Sequence, residues 1–360
     1  MSALWKTIRR NPISLLLLAL PLAIIARYAG WSQVLIFTFS AIAVIPMADY
    51  IGEGTEVLAA RTGPRIGGLL NATLGNAAEL IITIFAIQEG LLELVKASIT
   101  GSILGNLLFV MGFSMIIGGA RHGVQRFHQR QATRNAILLI LSVTALVIPS
   151  LLSHFIGPES SPRVEFLSLG VAVVMLVLYG LALLYGFKAE GEPLSPHVKR
   201  GSEVEDGMPV RSALALLAMA TIGVVIASEL LVGAVEPVVA SLGVSEFFIG
   251  IILIPIIGNV AEHLVAVQVA ANNQMDLSVE IAIASSLQIA LFVAPVLVFL
   301  SLLLGNPLHL IFNTLELVAL VAGVLITAIV SADGESNWLE GAQLLAVYFM
   351  LALAFFLLPA

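Results

Sequence analysis

The sequence predicts an all-α integral membrane protein with eleven transmembrane helices, namely one N-terminal helix followed by two inverted five-helix repeats. Three observations predict this fold class: the composition, the number of long apolar segments and an internal repeat. Of the 360 residues, 59% are hydrophobic and only 11% are Asp, Glu, Lys or Arg, against about 25% charged residues in soluble proteins. So few charges cannot cover a water-exposed surface, so we expect neither a soluble protein nor an enzyme.

The net charge and the absence of cysteine exclude further classes. The chain carries 23 acidic and 16 basic side chains, a net charge of −7, whereas a nucleic-acid partner requires clustered Lys and Arg. Because the chain has no Cys, it has no disulfides, thiolate metal sites or cysteine nucleophiles. The expected surroundings are therefore a lipid bilayer, with no nucleic-acid partner and no cofactor.

Eleven segments are long and apolar enough to cross a bilayer. A spanning helix needs about 20 mostly apolar residues. The candidates are residues 12–30, 33–60, 66–88, 92–118, 133–155, 164–187, 210–240, 244–271, 277–304, 308–331 and 338–358.

Basic residues in the short loops predict the orientation of these spans. Loops on the cytoplasmic side carry an excess of Lys and Arg. With the N-terminus inside, 13 of the 16 basic residues lie on the cytoplasmic side, and only Arg27, Lys96 and Arg163 lie outside. We therefore predict a cytoplasmic N-terminus and an external C-terminus.

The organisation predicted along the chain has four parts. An N-terminal segment with the first helix covers 1–32, the first repeat covers 33–187, and the second covers 210–360. Between the repeats, residues 188–209 form an acidic cytoplasmic linker with several Pro, Gly and Ser residues. Such a stretch is typical of a solvated connection, and a regulatory cation site there is the alternative.

The internal repeat aligns residues 66–110 with 249–293 at a constant offset of 183. Thirteen of the 45 positions are identical. They include Gly, Asn, Glu and Ser, which are more informative than apolar matches in such an apolar sequence. Corresponding helices are five spans apart, and an odd number reverses their direction through the bilayer. Inverted repeats are typical of secondary transporters, which bind their substrates near the membrane midplane.

Two membrane-buried carboxylates occupy equivalent repeat positions, Glu79 and Glu262, each within the pattern Gly-Asn-x-x-Glu. Carboxylates at membrane depth are costly and indicate function. The i, i+3 spacing places Asn76 beside Glu79 and Asn259 beside Glu262. Gly75 and Gly258, which weaken the helix there, would let the backbone approach an ion. Carboxylate, amide and carbonyl oxygens form the type of site that Ca²⁺ prefers. The alternative is a pair of protonated carboxyls bonded to neighbouring helices.

The spans that follow supply further candidate ligands. Ser102 in the first repeat, and Ser285 and Gln288 in the second, can face the carboxylate pair; hydrogen bonding between helices is the alternative for such small polar residues. Glu56 and Glu229, in similar local contexts, are candidates for a proton pathway together with Glu79 and Glu262. Glu316 has no repeat partner and is left ambiguous, and His263 is interpreted as a packed, neutral side chain.

At these residues the sequence resembles the calcium/proton antiporter (CAX) family of the calcium/cation antiporter superfamily. The matching segments are GNAAELIITI at 75–84, GSILGNLLFVMG at 101–112, GNVAEHLVAV at 258–267 and SSLQIALFVAP at 285–295. The resemblance implies eleven spans with two inverted halves, and Glu79 and Glu262 as the central Ca²⁺ ligands. Asn76, Asn259, Ser285 and Gln288 match the surrounding motif positions.

The function expected from these observations is exchange of Ca²⁺ for H⁺ by alternating access. Calcium and protons are then transported ligands, and the oligomeric state is left open. A sodium/calcium or other divalent-cation exchanger of the same architecture is the main alternative, and an ion channel is the next. The short N-terminus favours a prokaryotic plasma membrane over a vacuolar one.

Overall fold

The computed structural model describes residues 12–159, 161–188 and 208–358. The predicted linker 188–209 therefore lies almost wholly outside the described residues. The described helices are α1 (Ile13–Tyr28), α2 (Gln33–Gly63), α3 (Ile66–Leu74), α4 (Ala77–Gln88), α5 (Leu92–His122), α6 (Gln129–Ile156), α7 (Pro162–Lys188), α8 (Val210–Gly233), α9 (Val235–Leu242), α10 (Glu246–Ala271), α11 (Met275–Leu304), α12 (Thr314–Val330) and α13 (Trp338–Phe356). Two short strands, β1 (Gln125–Arg126) and β2 (Glu335–Ser336), pair antiparallel.

The length and composition of the described helices are those of an integral membrane protein. Within the described ranges, eight helices are long and apolar enough to cross a bilayer, and the bent pair α3–α4 makes a ninth. The apolar helices α1 and α12 are shorter. The predicted count of eleven includes these two and stays a prediction.

Two predicted spans differ from single straight helices for local reasons. The predicted span 210–240 is two helices, α8 and α9, because Pro237 lacks the N–H that would bond the carbonyl of Gly233. The predicted span 308–331 becomes helical only at Thr314. Ahead of it, the buried extended backbone is satisfied by serine hydroxyls: Ser168 accepts from the Leu310 N–H at 3.2 Å and Ser150 accepts from the Phe312 N–H at 3.0 Å.

The helices that carry the repeat are irregular at aligned positions. Helix α5 contains a π-helical turn at Gly105–Val110 and α11 contains one at Ile289–Val293; both turns end at the valine matched by the repeat alignment. Such turns are frequent at functional sites. Helix α10 contains a further π turn at Ile249–Leu253, just ahead of Pro255.

The predicted weakening of the helix at the Gly-Asn pairs is right in one repeat and wrong in the other. Helices α3 and α4 meet at Gly75-Asn76 with a bend of 43°. In the second repeat, α10 runs unbroken from Ile254 to Ala271 across Gly258-Asn259. The irregularity lies upstream instead, because Pro255 cannot bond the carbonyl of Ile251 and the π turn absorbs the defect.

Helices α5 and α11 form the centre of the molecule, and α7 lies at its edge. In their most apolar stretches, α5 and α11 are 72% and 61% buried, whereas α7 is 22% buried. Helix α10 packs against α4, α5 and α11. A surface helix that is apolar on its exposed side faces lipid, so the repeat positions lie in the protein interior.

The loops that the charge count assigns to one membrane side lie together. At one end, His122 Nε2 is 3.0 Å from the Ala271 carbonyl, and the Phe127 N–H donates to the Gly334 carbonyl at 2.9 Å. At the other end, the Asn306 amide donates to the Ile87 carbonyl at 2.8 Å. Each of these contacts joins loops that the charge count places on the same side, while the assignment of the two sides to cytoplasm and exterior stays a prediction.

Candidate ion-binding site

The two predicted carboxylates lie on facing helices of the protein interior. Glu79 is in the first turn of α4 and is 4% exposed. Glu262 is in the middle of α10 and is partly exposed. Helices α4 and α10 pack against one another. The structure thus brings together two acidic side chains that are 183 residues apart in sequence.

Each of these carboxylates lies against the glycine of the other repeat. A Cβ at Gly258 would lie 3.3 Å from both Cγ and Oε1 of Glu79, and one at Gly75 would lie 3.8 Å from Oε1 of Glu262. The sequence predicted that these glycines expose backbone to an ion. The structure shows that Gly258 leaves room for the Glu79 carboxylate, whereas a Cβ at Gly75 would only make ordinary van der Waals contact with Glu262.

The two motif asparagines connect the halves of the chain. Asn76 Nδ2 donates to Gln288 Oε1 at 2.7 Å, and Asn259 Nδ2 donates to the Ser102 hydroxyl at 3.3 Å. Both asparagines are at most 2% exposed. Each is therefore fixed by a side chain on the helix that follows the other motif.

Two buried oxygens at the site lack hydrogen-bond donors. Within the described residues, neither Asn76 Oδ1 nor Glu79 Oε2 has a hydrogen-bond partner. Unpaired buried acceptors cost free energy, and a bound cation or proton would remove that cost. The donor set consists of oxygen ligands, which suits a hard cation such as Ca²⁺. No group of three His, Cys, Asp or Glu side chains that could hold a metal ion occurs in the described ranges.

The equivalent serines of the two repeats have different partners. Ser285 donates to Glu262 Oε2 at 2.7 Å. Ser102, at the matched position, accepts from Asn259 instead of donating to Glu79. Ser286 bonds the carbonyl of Ala282 in its own helix at 2.9 Å. The half-site at Glu262 therefore has a hydroxyl donor that the half-site at Glu79 lacks.

A close helix contact holds α5 against α10 beside the site. The carbonyl of Ile251, which Pro255 cannot bond, points at Gly101, where a Cβ would lie 2.0 Å from the oxygen. No side chain fits at position 101 without moving this backbone. The contact fixes Ser102, the next residue, against Asn259.

Glu56 and Glu229 lie on helices other than those of the carboxylate pair. Glu56 is partly buried on α2 and Glu229 is exposed on α8. Glu316, which was ambiguous, forms a capping box with Asn313 at the start of α12 and accepts from the Thr100 hydroxyl at 3.3 Å. His263 is buried with its ring 6.2 Å from that of Phe109, in agreement with its interpretation as a packed side chain.

The sequence did not show that each Glu would lie against the glycine of the other repeat, or that Asn76 and Asn259 would bond side chains of the other half. The repeat alignment matched Gly with Gly and Glu with Glu, but it did not say which helices face each other. An inverted repeat implies that each half-site meets its equivalent across a pseudo-two-fold axis. That reasoning would have predicted the exchange of partners.

The chain matches a known family over most of its length. The family model described as "Sodium/calcium exchanger protein" matches residues 32–188 and 212–357. The chain belongs to this sodium/calcium exchanger family. Its resemblance to the calcium/proton antiporters is also confirmed, because members with that name are similar to it throughout.

Within the exchanger family, similar relatives come from bacteria. The Ca(2+)/H(+) antiporter of Aphanothece halophytica is 44% identical, with 96% of each chain covered. The Ca(2+)/H(+) antiporter ChaA of Bacillus subtilis (strain 168) is 43% identical, covering 97% of this chain and 100% of the relative. The solved structure of native YfkE matches with a TM-score of 0.84 and 43% identity, covering 96% of this chain and 100% of that one.

Proposed function

We propose that the protein is a secondary active transporter that exchanges Ca²⁺ for H⁺ across a bacterial plasma membrane by alternating access. The observation that carries the proposal is the pair of interior carboxylates, Glu79 and Glu262, each seated against the glycine of the other half. The names of the relatives that match nearly the whole chain support the same function. No enzymatic step and no resident cofactor enter this account.

In this proposal, Ca²⁺ binds between the two half-sites. The carboxylates of Glu79 and Glu262 supply the charge, and Asn76 supplies the amide oxygen that has no hydrogen-bond donor in the described structure. Ca²⁺ accepts 6–8 oxygens in flexible geometry. Further oxygens come from Asn259, Ser102, Ser285 and Gln288, from backbone carbonyls near Gly75 and Gly258, and from water.

The same carboxylates carry the protons. Metal binding requires deprotonated ligands, so Ca²⁺ and protons exclude one another at the site. The site is close to neutral either with Ca²⁺ or with two protons, but an empty site would place two negative charges in the membrane interior. Because isolated charges are costly there, the empty transporter resists reorientation, and this couples the two fluxes.

Glu56 and Glu229 are the proposed additional proton carriers. Glu56 is partly buried on α2 and Glu229 is exposed on α8, and these two helices pack along one another. If more than two protons exchange per Ca²⁺, net charge moves across the membrane. Each charge then couples transport to the membrane potential by about 2.3 kcal/mol per 100 mV.

The proposed architecture has eleven spans, one before two inverted halves of five, with the N-terminus in the cytoplasm. The π turns of α5 and α11 at aligned positions support the repeat. Inverted halves that meet at a midplane site provide alternating access by moving against one another. The loops that join at each end of the helices are consistent with this order.

Sodium/calcium exchange is the second candidate, because the matching family model carries that description. Proteoliposomes containing the full chain separate the two. The proposal predicts ⁴⁵Ca²⁺ uptake driven by an outward H⁺ gradient in sodium-free buffer and abolished by a protonophore. Uptake driven only by a Na⁺ gradient would support the second candidate, and passive uptake without either gradient would indicate a channel.

A further inference from the structure

An open groove lies between α6 and α7, away from the carboxylate pair. Its volume is about 690 Å³, which is within the range of sites that hold drug-sized ligands. The walls are the side chains of Ile137, Leu138, Leu178 and Leu181. Ile137 and Leu181 are more than half exposed, so the groove opens on the lipid-facing surface of the molecule.

One end of this groove is basic. Arg130 and Arg134 line it from the first two turns of α6, where the helix N-terminus adds partial positive charge. The Arg134 guanidinium lies 5.6 Å from the ring centroid of Tyr185, in the last turn of α7. A guanidinium within about 6 Å of an aromatic face is held by the ring. This contact keeps the charge of Arg134 at the mouth of the groove.

From this combination we propose that the groove binds one anionic phospholipid. Arg130 and Arg134 would bind the phosphate, because guanidinium groups match phosphate oxygens in paired hydrogen bonds. The acyl chains would lie along the walls of α6 and α7. Basic pockets between transmembrane helices recognise anionic head groups in this way.

Two other occupants fit less well. The acidic linker 188–209 follows α7 directly and complements the arginines, but it is too polar to cover the apolar walls. A second copy of the chain would cover the apolar walls, but it would also take the basic end of the groove out of water, which is costly for charged groups. A phospholipid has an anionic head group for the basic end of the groove and acyl chains for its apolar walls.

The leaflet follows from the proposed orientation. If the N-terminus is cytoplasmic, then the start of α6 and the end of α7 lie at the cytoplasmic surface, where anionic lipids concentrate in many membranes. The lipid site itself does not depend on this assignment or on Ca²⁺/H⁺ exchange. Binding is measured without transport, so its failure leaves the proposed function standing.

Native mass spectrometry of the purified full-length protein tests the proposal. Palmitoyl-oleoyl phosphatidylglycerol should bind with one tight site and phosphatidylcholine with the same chains should not. The double variant Arg130→Gln/Arg134→Gln should weaken phosphatidylglycerol binding about 25-fold, at about fivefold per arginine. Arg121→Gln/Arg126→Gln, which removes the same charge at the same end outside the groove, should leave binding unchanged.

A second variant tests the acyl-chain groove without changing charge. Leu181→Trp fills the groove and should weaken phosphatidylglycerol binding, whereas Val173→Trp, which changes an exposed residue elsewhere on α7, should not. Equal binding of the two lipids, or unchanged binding in the arginine variant, would overturn the proposal. So would a wild-type dimer that Leu181→Trp dissociates, or binding that appears only after the linker residues Glu190 and Glu192 are changed to Gln.

Discussion

Adding one methyl group at Gly258 should weaken calcium binding specifically. In Gly258→Ala the new Cβ lies 3.3 Å from Cγ and Oε1 of Glu79, so the carboxylate must shift by a few tenths of an ångström. Ca²⁺–oxygen distances span only about 2.3–2.6 Å, so a shift of this size moves a ligand out of range. Overpacking of this kind costs about 1–3 kcal/mol. If about 1.4 kcal/mol of this cost falls on the Ca²⁺-bound state alone, the Ca²⁺ affinity falls about tenfold.

The matched change at Gly75 should act on stability instead. There the new Cβ lies 2.6 Å from the Asn71 carbonyl oxygen but 3.8 Å from Glu262 Oε1, so the clash is with backbone and the carboxylate is not displaced. Gly75→Ala should therefore lower the unfolding temperature and the yield of folded protein more than the affinity.

The assay is the Ca²⁺ concentration dependence of H⁺-driven ⁴⁵Ca²⁺ uptake in proteoliposomes, with the unfolding temperature measured on the same preparations. Gly170→Ala is the control, because no atom lies within 4 Å of a Cβ at that helical position. Wild-type affinity in Gly258→Ala, or an equal loss in Gly170→Ala, would refute the idea that the glycine makes room for Glu79.

Two further predictions concern hydrogen bonds of buried groups. Ser285→Ala removes the hydrogen-bond donor to Glu262. Because hydrogen bonds to charged groups contribute about 1.5–3 kcal/mol, uptake should require at least about tenfold more Ca²⁺. The control Ser142→Ala, which loses only a bond within its own helix, should behave as wild type, and an equal effect of both changes would contradict the assignment. Glu316→Ala removes the capping box at Asn313, which should destabilise the protein by about 1–3 kcal/mol in thermal unfolding while exchange per folded molecule is retained. Loss of exchange in folded Glu316→Ala protein would instead place Glu316 in the ion path.

The sequence predicted well what depends on local composition. Most helices follow the apolar segments within a few residues, and the break predicted between the spans 66–88 and 92–118 lies where α4 ends. The pairing of Glu79 with Glu262 was also predictable, because the repeat marked equivalent polar residues at membrane depth. The helix positions rest on patterns within short stretches of chain, and the carboxylate pair rests on the match between two such stretches.

What the sequence could not predict depends on tertiary packing. The Gly-Asn pairs look alike, yet only Gly75-Asn76 interrupts a helix, because in α10 the defect caused by Pro255 is absorbed upstream. The exchange of partners between each glycine and the opposite Glu is set by how α4 and α10 pack. No local pattern states which helices will be neighbours.

The same limit applies to the roles of individual polar residues. Glu316 could not be assigned from the chain alone, because a buried carboxylate in a span suggests function while its capping role requires knowing where α12 begins. Ser102 and Ser285 match in the alignment but bond different groups. An alignment matches residue types and does not state which group each hydroxyl meets.

The most direct test of the account is H⁺-driven ⁴⁵Ca²⁺ uptake by proteoliposomes containing Glu79→Gln or Glu262→Gln, with Glu335→Gln, a half-exposed carboxylate on β2, as the control. Gln keeps the size of the side chain but can neither carry a proton nor supply a negative charge to Ca²⁺. The account predicts that both site variants fold and insert normally but lose exchange, and that the control variant transports as wild type does. Normal coupled exchange in either site variant would contradict the central claim that these two carboxylates bind Ca²⁺ and protons alternately.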